Sequence, residues 1–497
     1  MQQWPYISAL LSDVMQSLPL FKPELCLTGL FLMVLAIDLI YRKNGVNGSR
    51  TLACAGILLV MVANWGQYIL LDDRTEMLFA GSLILDHGTI VLKMTIDVAA
   101  FILLLYFTWD DDLKAHKKGL GDAYSIIVAS VLGLHLMVMS GTLLVVFLSV
   151  EMVSIASYLL VAYRTGNGQS AEAGLKYVLF GMAASAVMLY GISLLYGLSG
   201  TLSFAGPQMA QQLMLAHPAA VMLAMLLVLA GIGFKLSFVP MHFWVPDVYQ
   251  GASTPVTAYL STLPKIAGFG LLAALVRPFA AGQLGGDISA ILAVAGVVTM
   301  IAGNFAAIWQ TNIKRMLAYS SIGHTGFALM AILTFNAQGA KALNFYLGAY
   351  AVANLGVLAL ASYFANARNA HTLDDLKGLG SKYPIASVCF VVLLVSLTGI
   401  PVSAGFNAKV LVFSAVYNVY EQAHSPFMLA LLITGAVTTV VSLFYYIKVP
   451  LYLFLKRPDD ANVVHPATSR KLLTLIVVLT VVVLLLGLFP DVVANFM

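Results

Sequence analysis

Charge is what this chain has least of. Only 10% of its 497 residues are Asp, Glu, Lys or Arg, against 60% hydrophobic, where soluble domains carry about 25% charged residues. That balance excludes an ordinary water-soluble globule. Cysteine is equally scarce: Cys26, Cys54 and Cys389 are the whole set. They lie in or beside apolar stretches, fit no metal-ligand spacing and read as packing residues. There is no glycine-rich P-loop, no dinucleotide fingerprint after a strand and no cysteine cluster for an iron–sulfur centre. Any redox chemistry the protein joins therefore has its cofactor on another polypeptide. No loop is long enough for a soluble domain. No signal with an A-x-A-like cleavage site is found at the N-terminus, and residues 4–20 read as a short interfacial segment. The net charge of +4 reflects embedded lysines and basic loops, and no nucleic-acid partner is expected from it.

Long hydrophobic runs are what the chain has instead, at a mean hydropathy of +0.91. Most are about 20 residues or longer, enough to cross a bilayer as helices, and they lack the period-two alternation of a membrane barrel. The expected fold class is an all-α polytopic membrane protein with about fourteen transmembrane helices. Their approximate positions are 20–41, 51–71, 89–109, 122–140, 142–163, 171–197, 218–239, 255–276, 287–309, 314–335, 342–366, 383–420, 427–454 and 471–492. The twelfth is too long for one straight helix and contains Pro401; the seventh runs into Pro240. An interior proline removes a hydrogen bond and breaks or kinks a helix, so both are expected to be discontinuous.

Basic residues fall on one side of this topology. Arg42, Lys43, Arg50, Lys117, Lys118, Lys377, Lys382, Arg470 and Lys471 share one set of loops, and the other set holds only Arg74, Arg277 and Lys341. The positive-inside rule then puts both termini on the non-cytoplasmic side, which needs an even number of spans. The broken spans also suggest a duplication. Spans four to eight carry Glu151, Lys235 and Lys265; spans nine to thirteen carry His324 and Lys409. The expected divisions are 1–121, 122–279, 280–455 and 456–497. Paired interrupted helices in corresponding positions point to a transport site near the midplane.

The embedded ionisable groups are the candidate site. A charge at the centre of a spanning helix costs about 2.5–3.5 kcal/mol on insertion scales. Glu151, Lys176, Lys235, Lys265, His324 and Lys409 all sit in apolar helical stretches. Desolvation favours a neutral amine and a nearby carboxylate favours the ammonium. A lysine between these effects changes charge when its carboxylate moves, as a proton carrier must. Glu151 is the expected partner of such a lysine. Plainer readings stand beside these. Glu151 packs against a serine or tyrosine, Lys235 and Lys409 snorkel to an interface, His324 is a hydrogen-bonded core residue, and Lys176 pairs locally with Glu172. Lys93 and Asp97, at i, i+4 spacing, are read as a local ion pair. Glu24, Asp38 and Lys448 are read as interfacial.

Several segments resemble a known family. Phe234-Lys235-Leu236-Ser237-Phe238-Val239-Pro240-Met241-His242-Phe243-Trp244-Val245-Pro246-Asp247-Val248-Tyr249-Gln250-Gly251 and Asn312-Ile313-Lys314-Arg315 through Ser320-Ser321-Ile322-Gly323-His324 resemble the antiporter-like subunits of respiratory complex I. The Asp247–Gly251 wording and Ser170 through Tyr177 are similar to subunit N. The resemblance is strong over about 120–455. It implies two inverted five-helix repeats and a proton path with Glu151 and Lys235 as the coupled pair, Lys265 and His324 as the central relay and Lys409 on the exit side. It further implies membrane-arm partner subunits that carry FMN, iron–sulfur clusters and quinone, in a bacterial inner membrane. The sequence departs from the family pattern at Val402, where a second proline is common, and at Asn407, where an apolar residue is expected. Two other readings stay open: a cation/proton antiporter subunit, and a non-pumping scaffold.

Overall fold

The computed structural model describes residues 4–41, 45–72, 74–114, 119–164, 166–279, 283–457 and 469–494. Arg42, Lys43, Lys117 and Lys118 of the basic loops lie outside the described residues. Among the described residues, twelve helices are long and apolar enough to cross a membrane. Two expected spans complete the fourteen without meeting that measure. Ile313–Ile332 has the length, but Tyr319 to Thr325 dilutes its apolarity; it is buried and needs no lipid-facing surface. The twelfth span is split into Pro384–Thr398 and Ala404–Ala423. The all-helical membrane fold expected from the sequence is borne out. It carries one addition, a hairpin of Glu76–Leu78 and Leu83–Leu85 that pairs Met77 with Ile84. Its main-chain groups bond the turn between the fourth and fifth spans, through Ile84 N–H to Met139 O (2.7 Å) and Gly141 N–H to Ser82 O (2.9 Å). Buried loop backbone needs such partners.

Helix starts follow local chemistry. Asp86 and Thr89 form a reciprocal capping box at the head of His87–Tyr106, which satisfies two donors the first turn leaves orphaned. At the fifth, sixth, tenth and eleventh spans the side chains of Thr142, Asn167, Asn312 and Asn336 accept a hydrogen bond from a first-turn N–H, without the reciprocal bond.

Two helices, Thr254–Val276 and Ala337–Arg368, are enclosed along most of their length. Peripheral spans expose leucine, valine and phenylalanine on their outer faces, among them Leu175, Leu179, Val437 and Phe444, as lipid contact allows.

Both expected breaks are present, in the seventh and twelfth spans. Pro218–Leu236 stops where Ser237 turns left-handed (φ 61°), and the chain resumes at Val245–Gly251. Pro384–Thr398 stops at Gly399 (φ 87°), Val402 is also left-handed (φ 74°), and Ala404–Ala423 follows. Freed carbonyls near the first break find donors: Trp244 Nε1–H to Phe234 O at 3.1 Å and Thr325 hydroxyl to Leu236 O at 3.0 Å. Asn407, polar where an apolar residue was expected, donates to Leu486 O (3.3 Å) and Gly487 O (2.8 Å). It ties the second break to the last span.

Candidate functional site

Lys235 occupies the last turn before the first break and is 3% exposed. Its ammonium donates to Ser154 Oγ at 3.1 Å, and Ser154 in turn donates to Val150 O at 2.7 Å. Glu151, half-buried on the same Leu143–Val161 helix, accepts a hydrogen bond from Ser185. Glu151 and Lys235 therefore make no direct ion pair; each bonds its own serine.

Lys265 lies on the enclosed Thr254–Val276 helix, just after Pro264. Its three N–H groups meet three acceptors: Ser321 O at 2.8 Å, Ser321 Oγ at 2.7 Å and Thr325 Oγ1 at 3.0 Å. This satisfies an ammonium fully. Thr325, by bonding Leu236 O as well, joins Lys265 to the residue beside Lys235. One turn along from Ser321, His324 places Nδ1 2.7 Å from the Tyr346 hydroxyl and Nε2 3.4 Å from the Tyr446 hydroxyl. Its ring lies 5.0 Å from that of Tyr350, whose hydroxyl bonds Ser321 Oγ at 2.9 Å.

Lys409 is 5% exposed. It donates to Thr398 O at 2.8 Å and Thr439 Oγ1 at 3.3 Å and lies 4.5 Å from the centre of the Phe327 ring. A cavity of about 10 Å³ lined by His324, Tyr346, Tyr350, Ser396 and Lys409 separates the histidine from the lysine. Its volume is at the lower limit for one water, and its surface is almost wholly apolar.

Lys176 is placed elsewhere. Its side chain is 39% exposed and pairs with Glu172 (2.8 Å) and Asp247 (3.0 Å); Asp247 also binds Arg315 at 2.6 Å. This network joins the sixth span, the short Val245–Gly251 helix and the tenth span, apart from the buried lysines. The local Glu172 pair read from i, i+4 spacing is present.

Two further sequence readings fail, beside the direct Glu151–Lys235 pair and the embedded Lys176. Lys93 and Asp97 are not paired with each other, and Glu24 is not interfacial. Lys93 binds Glu24 Oε1 at 2.7 Å, Asp97 binds His135 Nε2 at 3.0 Å, and all four side chains are fully buried. Spacing along one helix was misleading because the partners arrive from the first and fourth spans and solvate each charge better than a neighbour on the same helix face. His135 was missed outright. The signal available was that Glu24, Asn64, Lys93 and His135 put one strong polar group into each of four consecutive apolar spans. The tyrosines Tyr346, Tyr350 and Tyr446 and the acceptors Ser321 and Thr398 also went unread.

Residues 140–441 match the family described as NADH:quinone oxidoreductase/Mrp antiporter, TM, and that match covers more than half of the chain. The chain belongs to this family. NADH-quinone oxidoreductase subunit N 2 of Chloroherpeton thalassium is 39% identical over 93% of this chain and 91% of the relative, so the resemblance to subunit N is borne out. A chain of respiratory complex I from Thermus thermophilus superposes with a TM-score of 0.78 at 29% identity, over 95% of this chain and 98% of that one. A chain of the Mrp complex from Dietzia sp. has the same fold, with a TM-score of 0.81 at 20% identity over 95% of each chain.

Proposed function

We propose that this chain is a proton-translocating membrane-arm subunit of an NADH:quinone oxidoreductase, with Glu151, Lys235, Lys265, His324 and Lys409 as its proton path. The observation that carries the reading is the bonding of Lys265. One buried ammonium is held by Ser321 and Thr325, Thr325 reaches the first helix break, and Ser321 stands one turn from His324. A charge change at Lys235 is thereby relayed toward Lys265, and His324 and Lys409 line one small cavity where the last step would occur. Like charges in a low-dielectric interior repel strongly. A proton arriving at one member of this cationic series therefore favours release from the next. An alkali cation prefers oxygen ligands, whereas the amines and imidazole of this series take a proton on nitrogen, which argues for protons over the sodium of an antiporter.

In this reading Lys176, with Glu172 and Asp247, gathers protons at the mouth. Residues 122–279 and 280–455 act as two inverted five-helix repeats, with the breaks at Pro240 and Pro401 in corresponding places. Both termini face the non-cytoplasmic side of a bacterial inner membrane. Partner subunits carry the FMN, the iron–sulfur clusters and the quinone site. The test is proton pumping against quinone reduction in vesicles carrying Lys235→Ala, with assembly checked on native gels. Lost pumping by an intact complex is expected; unchanged protons per electron would overturn the reading and leave the chain a scaffold.

A further inference from the structure

A second set of ionisable groups lies off the lysine path, enclosed by the first four spans. Glu24, Lys93, Asp97, His135 and Asn64 are each 0% exposed. Lys93 Nζ is 2.7 Å from Glu24 Oε1 and donates to Gln67 Oε1 at 2.9 Å. His135 directs Nδ1 at Glu24 Oε1 (3.2 Å) and Nε2 at Asp97 Oδ1 (3.0 Å). Asn64 donates to Asp97 Oδ2 at 2.7 Å. Glu24 Oε2 and Asn64 Oδ1 are buried without a hydrogen-bond partner.

The donor count is decisive. An ionised carboxylate only accepts, and a neutral imidazole carries one N–H. Two ring nitrogens facing two carboxylates therefore need one proton beyond those of a neutral histidine, on the ring or on a carboxyl oxygen. The charge count agrees. Lys93 and a neutral His135 leave the two carboxylates one positive charge short, and an uncompensated charge out of water is expensive. With the extra proton the group is neutral, and the unpartnered Glu24 Oε2 is an alternative seat for it.

A line of hydroxyls runs from this group toward Lys235. Ser130, on the same helix as His135, bonds the buried Tyr259 hydroxyl. Tyr259 bonds Ser157 at 3.3 Å. Ser157 stands three residues from Ser154, which receives the Lys235 ammonium. Ser130 stands five residues from His135, about 7.5 Å of helix rise and about 140° around the helix, so the two side chains face different neighbours, Tyr259 and Glu24, and the route needs bridging water between them.

We propose that Glu24, Lys93, Asp97 and His135 form a second proton-binding site of this chain, connected through Tyr259 to Lys235. In the transfer, an N–H bond of the His135 imidazolium breaks and an N–H bond forms on the neutral Lys235 amine. Each intervening hydroxyl and water takes one proton and passes on another, so nothing is oxidised or reduced. The proposal rests on the reading of Lys235 as part of the proton path.

The test uses the complete complex with isotope-labelled histidine, and takes infrared difference spectra between resting and quinone-reducing states. A labelled imidazolium band that changes during turnover, and is absent from His135→Gln, is the expected result. Tyr259→Phe, which keeps the ring and deletes the hydroxyl, is expected to lose that change and to lower the protons pumped per electron. A His135 band that stays constant through turnover would overturn the proposal and leave the cluster a fixed structural charge. Should His135→Gln fail to assemble, Tyr259→Phe and the unmodified complex still decide. Lys235→Ala run in parallel separates the two ideas. Pumping lost there but full in Tyr259→Phe overturns the second site alone; pumping full in both overturns the lysine path and the second site with it.

Discussion

Lys409 lies beyond the break in the twelfth span, yet its ammonium bonds the carbonyl of Thr398, the last residue before the break, at 2.8 Å. One side chain thus ties together the two halves of a discontinuous helix. The carbonyl end of a helix carries a partial negative charge and orphaned acceptors, so the ammonium is stabilised where it also satisfies the backbone. Lys409→Met is expected to lose both roles. Leaving one buried carbonyl unpaired costs about 1–3 kcal/mol, read as a lower midpoint for thermal dissociation of the solubilised complex. Pumping per electron should fall further than in Lys409→Arg, which keeps a donor. Equal pumping in wild type and Lys409→Met would remove Lys409 from the path.

Gly399 makes that bond possible. Its φ of 87° is one an L side chain rarely adopts, and an added Cβ would lie 2.7 Å from Lys409 Cδ. Gly399→Ala is expected to strain the turn by about 1–2 kcal/mol and to push the lysine stem away from Thr398. The check is pumping by an assembled complex, which should drop although no ionisable group has been removed. Full pumping would mean that the position of Lys409 is not set by this turn.

The buried lysines were legible because each interrupts an apolar run, and a charge that survives insertion is conspicuous against leucine and valine. The breaks were legible because Pro240 and Pro401 sit inside otherwise spanning stretches. Partner choice was not legible. Ser154 rather than Glu151 receives Lys235, and Glu24 rather than Asp97 receives Lys93. Those pairings depend on which helices become neighbours and at what depth, and sequence spacing within one helix carries no record of it. Lys176 was read as embedded because hydropathy averages over a window; its side chain reaches an acidic pair at the end of that window.

Lys176 is consequently expected to behave differently from Lys265. Its ion pairs are partly exposed, and such pairs contribute little to stability and weaken with salt. Lys176→Ala should assemble normally and slow pumping without abolishing it, with the deficit shrinking as ionic strength rises and the wild-type pair is screened. Lys265→Ala should abolish pumping at every salt concentration. A total loss in Lys176→Ala at high salt would move this residue into the inner path.

Asp375 offers a pH test outside the spans. Burial raises its carboxyl, but the hydroxyl and amide of Thr372 and the amide of His371, all bonded to Oδ2, outweigh that and hold it below the ordinary carboxylate range. For a carboxyl depressed on folding, the stabilisation is present above the unfolded value and is lost as pH falls through the folded one. Hydrogen exchange at the His371 and Thr372 amides, corrected for intrinsic rates, should therefore lose protection only on strong acidification. Asp375→Ala should lack that protection at neutral pH, and an identical profile for the variant and wild type would refute the account.

Thr325 gives the sharpest separation between relay and packing. Its hydroxyl oxygen accepts from Lys265 at 3.0 Å while its proton is shared between Leu236 O (3.0 Å), the carbonyl left free at the first break, and Ser321 O (3.1 Å) of its own helix. Thr325→Val has nearly the same volume, so the helix contacts are kept and the hydroxyl's hydrogen bonds to Lys265, Leu236 and Ser321 are lost. A structural role alone predicts a loss of about 1–3 kcal/mol in stability with protons per electron unchanged. The relay role predicts lower protons per electron in an assembled complex, because a charge change beside Leu236 no longer has a bonded route to Lys265. Thr325→Ser, which restores the hydroxyl without the methyl group, should then recover pumping. If Thr325→Ser pumps no better than Thr325→Val, the hydroxyl is not the link between the two lysines.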